Sequence, residues 1–244
     1  MIFAQTIGRL FIRWRDAIAR GLSHLGIHPN MLTTAGCFFT LFAGVAIAYG
    51  TRHTAFVLLI FAGAMDMLDG AVAKVGDMKT RFGGVFDSSL DRFSDGALFA
   101  GIMVYFSLKC ETSHVLATAL AMIGAFSTSY VRARAECIVD ECKVGFWERA
   151  ERIVLIMIAL MSKRLATSMW MLAVLTNWTA IHRIYYTWGK LSAEHAEEDH
   201  EPGLPLHKIE AAVYDVIFWK YDRWSWQYDI GVVASIAFLL IVDF

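Results

Sequence analysis

Apolar residues dominate six stretches of the chain, near 31–50, 54–74, 87–109, 113–135, 147–163 and 165–188, with polar residues gathered between them. A helix needs about 20 predominantly apolar residues to cross the hydrocarbon of a bilayer. The pattern therefore predicts six membrane-spanning helices. Residues 5–26 alternate differently. Ile7, Leu10, Phe11, Trp14, Ile18, Leu22 and Leu25 recur at helical spacing, and Arg9, Arg13, Arg15 and Arg20 fill much of the remaining surface. This predicts an amphipathic helix, either lying in the membrane interface or packed on the protein's own surface. His28-Pro29-Asn30 ends it, and Asn30 or Thr33 is expected to cap the next helix.

The end of the chain changes character. Residues 194–202, EHAEEDHEP, read as an acidic linker. Residues 208–228 mix apolar positions with Trp219, Tyr221, Trp224, Trp226 and Tyr228, a composition suited to the headgroup zone. Residues 230–242, IGVVASIAFLLIV, are apolar but only 13 long. They are expected to be interfacial, re-entrant or packed, with a seventh spanning helix as the alternative. No internal repeat is evident. The expected organisation is all-α: an N-terminal interfacial helix (1–27), a six-helix transmembrane bundle (28–191) and a membrane-associated tail (192–244).

Composition agrees with this reading. The chain is 57% hydrophobic with a mean hydropathy of +0.49, whereas soluble domains run at about 45–50% apolar. A net charge of -1 gives no sign of a nucleic-acid partner. The basic residues divide by side. Arg9, Arg13, Arg15, Arg20, Lys74, Lys79, Arg81, Arg132, Arg134, Lys143, Arg149, Arg152, Arg183 and Lys190 fall on one side of the predicted spans, and Arg52, Lys109, Lys163 and Arg164 on the other. The richer side is expected to be cytoplasmic, in a multi-pass protein of the cell membrane. The opening MIFAQTIGRLFIRWRD lacks a basic region followed by a cleavable apolar core, so no signal peptide is expected. Cys37, Cys110, Cys137 and Cys142 form no CxxC pair and are expected to be packing residues or free thiols.

The chemistry concentrates in residues 66–91, DMLDGAVAKVGDMKTRFGGVFDSSLD. A carboxylate near the bilayer centre costs about 2.5–3.5 kcal/mol, so aspartates beside the most apolar stretches need a compensating partner. Asp66 and Asp69 are three apart and Asp87 and Asp91 four apart, so each pair shares a helix face. The segment between them carries Gly70, Gly76, Gly83 and Gly84 and can turn the chain back, letting the pairs converge. Oxygen-only ligands favour Mg²⁺ or Mn²⁺, and paired ions about 3.5–4 Å apart are common in phosphoryl chemistry. Gly70 would let a phosphate or nucleotide approach the backbone. The alternative is a set of solvated, helix-capping aspartates. Asp77 is expected to be solvated, and Asp95 to support the site or pair with Arg92.

These residues resemble the signature of the CDP-alcohol phosphotransferase family, D-x2-D-G-x2-A-R-x8-G-x3-D-x3-D. Asp66, Asp69, Gly70, Ala73, Gly83, Asp87 and Asp91 fit it, and Lys74 stands where the family has Arg. The resemblance covers roughly residues 20–190. It implies a six-helix membrane enzyme, usually a homodimer, with its site open to the cytoplasm. It implies that Asp66, Asp69 and Asp87 hold one metal ion, that Asp66, Asp87 and Asp91 hold a second, and that Asp91 is the general base. Asn30, Thr33, Gly70, Lys74 and Thr80 would contact the CDP-linked lipid. Lys74 replaces a bidentate phosphate grip by a point charge.

Three further stretches, SYVRARAE at 129–136, GFWERAER at 145–152 and TAIHR at 179–183, resemble the phosphatidylinositol-phosphate synthases of that family. The resemblance implies transfer of the phosphatidyl group of CDP-diacylglycerol onto a phosphorylated inositol. Arg132, Arg152 and Arg183 would bind the acceptor phosphate, with Arg149 and Arg134 as helpers. Arginines at cytoplasmic helix ends are also expected from topology alone, with Glu136 pairing Arg132 and Glu148 pairing Arg152. Glycerol 3-phosphate is the rival acceptor. A transporter and an inactive family member are the rivals from other classes, although the chain shows neither repeats nor mid-membrane charges.

Overall fold

The computed structural model describes residues 2–139, 142, 144, 145, 147–198 and 226–242, with the side chains of 2–11, 193–198 and 226–230 excepted. Lys143, Phe146, residues 199–202 of the acidic stretch and the aromatic segment 208–225 lie outside the described residues, as do the side chains of Trp226 and Tyr228. Among the described residues the chain is all helix, in eight helices: α1 (Ile2–His24), α2 (Pro29–Ala48), α3 (Arg52–Val75), α4 (Arg81–Leu108), α5 (Thr112–Ala135), α6 (Arg149–Ser162), α7 (Leu165–Glu198) and α8 (Trp226–Ile241). They form two compact units, Met1–Tyr105 and Phe106–Phe244.

In the first unit, α2 begins two residues earlier than the sequence suggests. His28 is its N-cap, with ring Nδ1 accepting from the Asn30 amide, and Pro29 occupies the first turn. Proline suits that position because its missing N–H would be unsatisfied there anyway. The expected cap at Asn30 or Thr33 is thus corrected, and both side chains are released for other work. α2 lies along α3, where Gly36 lets the α2 backbone approach Ala62 and Met65. It meets α4 at Gly44 and Gly101. A Cβ on Gly101 would overlap the Gly44 carbonyl, and one on Gly44 would sit 2.6 Å from the Ala97 oxygen. Small residues bring helix backbones together in the same way inside membranes. α1 docks on α3 through Ala19, buried against Leu32, Leu68, Ala71 and Val72, while Trp14, Ile18 and Leu25 stay exposed.

α3 is followed by a turn with Asp77 at φ 52°. Thr80 then opens α4, its hydroxyl accepting from the Gly83 amide at 2.9 Å. α4 therefore starts six residues before its apolar stretch. A capped polar turn carries no hydropathy signal, and this turn places Asp87 well inside the helix.

In the second unit, α5 packs along α7 through Ala117, Ala121 and Ala125, all fully buried. Polar contacts bind the two helices: Thr128 Oγ1 donates to the Thr176 carbonyl at 3.0 Å and Asn177 Nδ2 to the Leu120 carbonyl at 2.9 Å. α6 starts in a capping box between Glu148 and Glu151. Its 14 residues rise about 21 Å. Residues 230–242 belong to α8, whose end is tied to the α6–α7 turn: the Val242 carbonyl accepts from Arg164 Nη1 at 2.7 Å and from Thr167 Oγ1 at 3.3 Å. A cavity of about 790 Å³ beside α8 is lined by His114, Trp170, Val174 and Phe238, among others. His114 is half-buried, with its ring edge-on to Phe106.

Among the described residues, three helices are long and apolar enough to cross a membrane: α2, α3 and α5, with mean hydropathies of 1.9, 1.8 and 1.4. The four cysteines are free, with Cys142 buried.

Candidate active site

Asp66 and Asp69 lie one turn apart near the end of α3, and Asp87 lies in the second turn of α4. Each of the three offers a carboxylate oxygen, and these oxygens lie within 4.8 Å of one another. The convergence expected from the glycine-bearing turn is present for these three. Asp69 is the buried member, 8% exposed. Its orientation is fixed from α2: the Thr33 hydroxyl donates to Asp69 Oδ2 at 2.7 Å and also lies 3.2 Å from the Pro29 carbonyl of its own helix. The Gly70 amide approaches the other Asp69 oxygen. Three carboxylates at this spacing repel strongly, and the more so as water is removed. A divalent cation relieves that repulsion. The donor set is all oxygen and all anionic, which fits Mg²⁺ or Mn²⁺ and does not suit a soft metal.

Asp91 stands one turn beyond Asp87 and outside the three-carboxylate group. Its Oδ2 lies 3.9 Å from Arg92 Nη1, which also donates to the Ser88 carbonyl. Asp95, expected beside the 87/91 face, is buried at 4% exposure.

The residues expected to meet a CDP-linked lipid border this cluster. Gly70 follows Asp69 directly, and a Cβ there would meet nothing within 4 Å, so the space in front of it is open. Lys74 lies exposed in the last turn of α3. The starts of α2 and α4 meet, since a Cβ on Gly83 would lie 3.0 Å from Thr80 Oγ1 and 3.7 Å from Asn30 Oδ1. Thr80 caps α4, and the Thr33 hydroxyl is engaged by Asp69. The Thr33–Asp69 pairing was not legible beforehand. The two residues are 36 positions apart, and only the α2–α3 crossing brings them together.

In the second unit two of the arginines expected to bind an anion, Arg132 and Arg183, meet at one glutamate. Arg183 is 2% exposed, and all three of its guanidinium nitrogens donate: Nε to the Val144 carbonyl and Nη1 to the Thr128 carbonyl, both at 2.8 Å, and Nη2 to Glu148 Oε1 at 3.2 Å. Arg132 donates from Nη1 to that same Glu148 oxygen at 3.0 Å and from Nε to Glu136 at 2.9 Å. The Glu136 pairing is the one expected from their i,i+4 spacing. Arg152, near the start of α6, is also 2% exposed. Arg149, the first residue of α6, is half-buried, and Arg134 is exposed. Spacing pointed to Glu148 only as a partner for Arg152. Its reach to Arg132 and Arg183 depends on the chain returning at α7.

Comparison with known proteins agrees with these features. The CDP-alcohol phosphatidyltransferase family matches residues 26–184. The archaetidylinositol phosphate synthase of Methanothermobacter thermautotrophicus is 36% identical over 73% of this chain and 91% of its own length, and that of Pyrococcus horikoshii 33% identical over 70% and 88%. The solved structure of Mycobacterium tuberculosis phosphatidylinositol phosphate synthase with CDP-DAG bound is similar at a TM-score of 0.67 and 30% identity, covering 72% of this chain and 94% of that one. The same enzyme in complex with manganese and citrate is similar at a TM-score of 0.66 and 31% identity, covering 71% and 88%. The match begins just before α2, takes in every aspartate of the 66–91 segment and runs to the end of the arginine cluster, so this chain belongs to the CDP-alcohol phosphatidyltransferase family.

Proposed function

We propose that this enzyme transfers the phosphatidyl group of CDP-diacylglycerol to a phosphorylated inositol, giving a phosphatidylinositol phosphate and CMP. The observation that carries this reading is the Asp66–Asp69–Asp87 cluster, set beside an open Gly70, in a chain that also gathers Arg132, Arg152 and Arg183. The relatives and solved structures named above carry the acceptor assignment.

Asp66, Asp69 and Asp87 hold the divalent ion, and Asp91 joins Asp66 and Asp87 in holding a second. Bound there, Mg²⁺ or Mn²⁺ neutralises the diphosphate and stabilises charge on the departing CMP. Thr33 keeps Asp69 in its ligating orientation. Asn30, Gly70, Lys74 and Thr80 receive the cytidine diphosphate, with Lys74 acting as a point charge on phosphate. Asp91 takes the proton from the acceptor hydroxyl as that oxygen attacks the β-phosphorus. Arg132, Arg152 and Arg183, helped by Arg149 and Arg134, hold the acceptor's phosphate.

The aspartates belong at the membrane rim because one substrate is a lipid and the other dissolves in water. We place six spans in a domain of residues 28–191, with α1 of the segment 1–27 lying in the interface. Its exposed Trp14 and Ile18 beside Arg13 and Arg20 support that position. The 192–244 tail adds α8. The enzyme works as a homodimer in the cytoplasmic membrane, with its site facing the cytoplasm. Purified enzyme supplied with CDP-diacylglycerol, Mn²⁺ and inositol phosphate should yield a lipid whose mass retains the acceptor's phosphate. A lipid carrying glycerol phosphate, formed only from glycerol 3-phosphate, would replace the acceptor and leave the aspartate chemistry in place.

A further inference from the structure

Glu148 holds an unusual position in the arginine cluster. One of its oxygens, Oε1, accepts from both Arg132 and Arg183, and its side chain also caps the first turn of α6. Each arginine has other partners as well. Arg183 is already fixed by the Val144 and Thr128 carbonyls, and Arg132 by Glu136. Arg183 is sealed in, whereas the side chains of Glu148 and Arg132 keep 24% and 33% exposure. The open part of the cluster is therefore the carboxylate and one of the guanidinium groups it neutralises.

We propose that Glu148 is a built-in counter-anion that an incoming phosphate must displace, and that it thereby selects phosphorylated acceptors over neutral ones. This inference rests on the acceptor reading above. A phosphate carries more charge than a carboxylate and offers three oxygens, so it can satisfy the donors that Glu148 gives up. A neutral alcohol cannot, and leaves the Arg132–Glu148–Arg183 bridge closed. The displaced carboxylate has a place to go, because it remains at the N-terminus of α6, where amide donors and the helix dipole favour a negative charge. Glu148 acts through the arginines and is a positioning residue for acceptor selection.

The test compares wild type with Glu148→Gln, which keeps the length and a capping oxygen but loses the charge, and with Glu148→Ser, which keeps a good cap without the reach. Binding of inorganic phosphate is measured by titration calorimetry, and the KM for each substrate by CMP release. Removing the competing charge should tighten phosphate and lower the acceptor KM by roughly fivefold, leaving the KM for CDP-diacylglycerol unchanged. Phosphate affinity that stays the same or falls in the variants overturns the proposal, as does loss of the folded state in both, since either makes Glu148 a structural clip. The phosphate titration does not depend on turnover. A wild type that binds phosphate but makes no product from inositol phosphate would instead count against the acceptor reading.

Discussion

The hydroxyl of Thr33 lies 2.7 Å from Asp69 Oδ2, joining the second turn of α2 to the most buried carboxylate of the metal cluster. Groups that orient metal ligands typically change affinity by about 10–100-fold when removed. Thr33→Val keeps the shape and loses the donor. It should weaken Mn²⁺ binding by about tenfold with little change in thermal stability, and Thr33→Ser should restore most of the loss. Mn²⁺ titration followed by electron paramagnetic resonance reads this directly.

Gly70 faces open space next to Asp69. Gly70→Ala meets no protein atom and replaces a poor helix former with a good one, worth about 1 kcal/mol. The variant should melt no lower than wild type. Its KM for CDP-diacylglycerol should nevertheless rise several-fold, because the methyl group occupies space meant for substrate. A lower melting temperature with an unchanged KM would place the substrate elsewhere.

Asp91 lies one helical turn beyond Asp87, outside the group of three carboxylates. Asp91→Asn should lower kcat by about 10²–10⁴-fold and leave CDP-diacylglycerol binding in the presence of Mn²⁺ nearly intact. Wild-type turnover in this variant would remove Asp91 as the base.

The helices were legible because their apolar stretches are long: α2, α3 and α5 begin and end within two residues of the expected boundaries. The polar first turns of α4 and α8 were missed, since residues 81–86 and 226–229 belong to helices that hydropathy starts later. Three of the four expected aspartates, Asp66, Asp69 and Asp87, do gather, because spacings of three and four residues on two helices joined by a short turn restrict where the side chains can go. The longer-range contacts were not legible. Thr33 meets Asp69, and Arg132 and Arg183 meet Glu148, across separations of 16 to 36 residues that only helix packing determines.

Arg152 is almost fully buried. Arg152→Gln should raise the acceptor KM by at least tenfold, or about 1.4 kcal/mol, while the KM for CDP-diacylglycerol moves less than twofold. Arg152→Lys should recover part of the loss, since the charge returns without the planar fork. An equal rise in both KM values would mean that Arg152 supports the fold and not the acceptor.

The central claim is tested most directly by CMP release from CDP-diacylglycerol with Mn²⁺, offering inositol 1-phosphate, glycerol 3-phosphate, inositol and serine in separate reactions. CMP release with inositol 1-phosphate alone, abolished by Asp87→Asn, is the predicted result. Release with glycerol 3-phosphate or a neutral acceptor in its place, or turnover that survives loss of Asp87, would contradict the account.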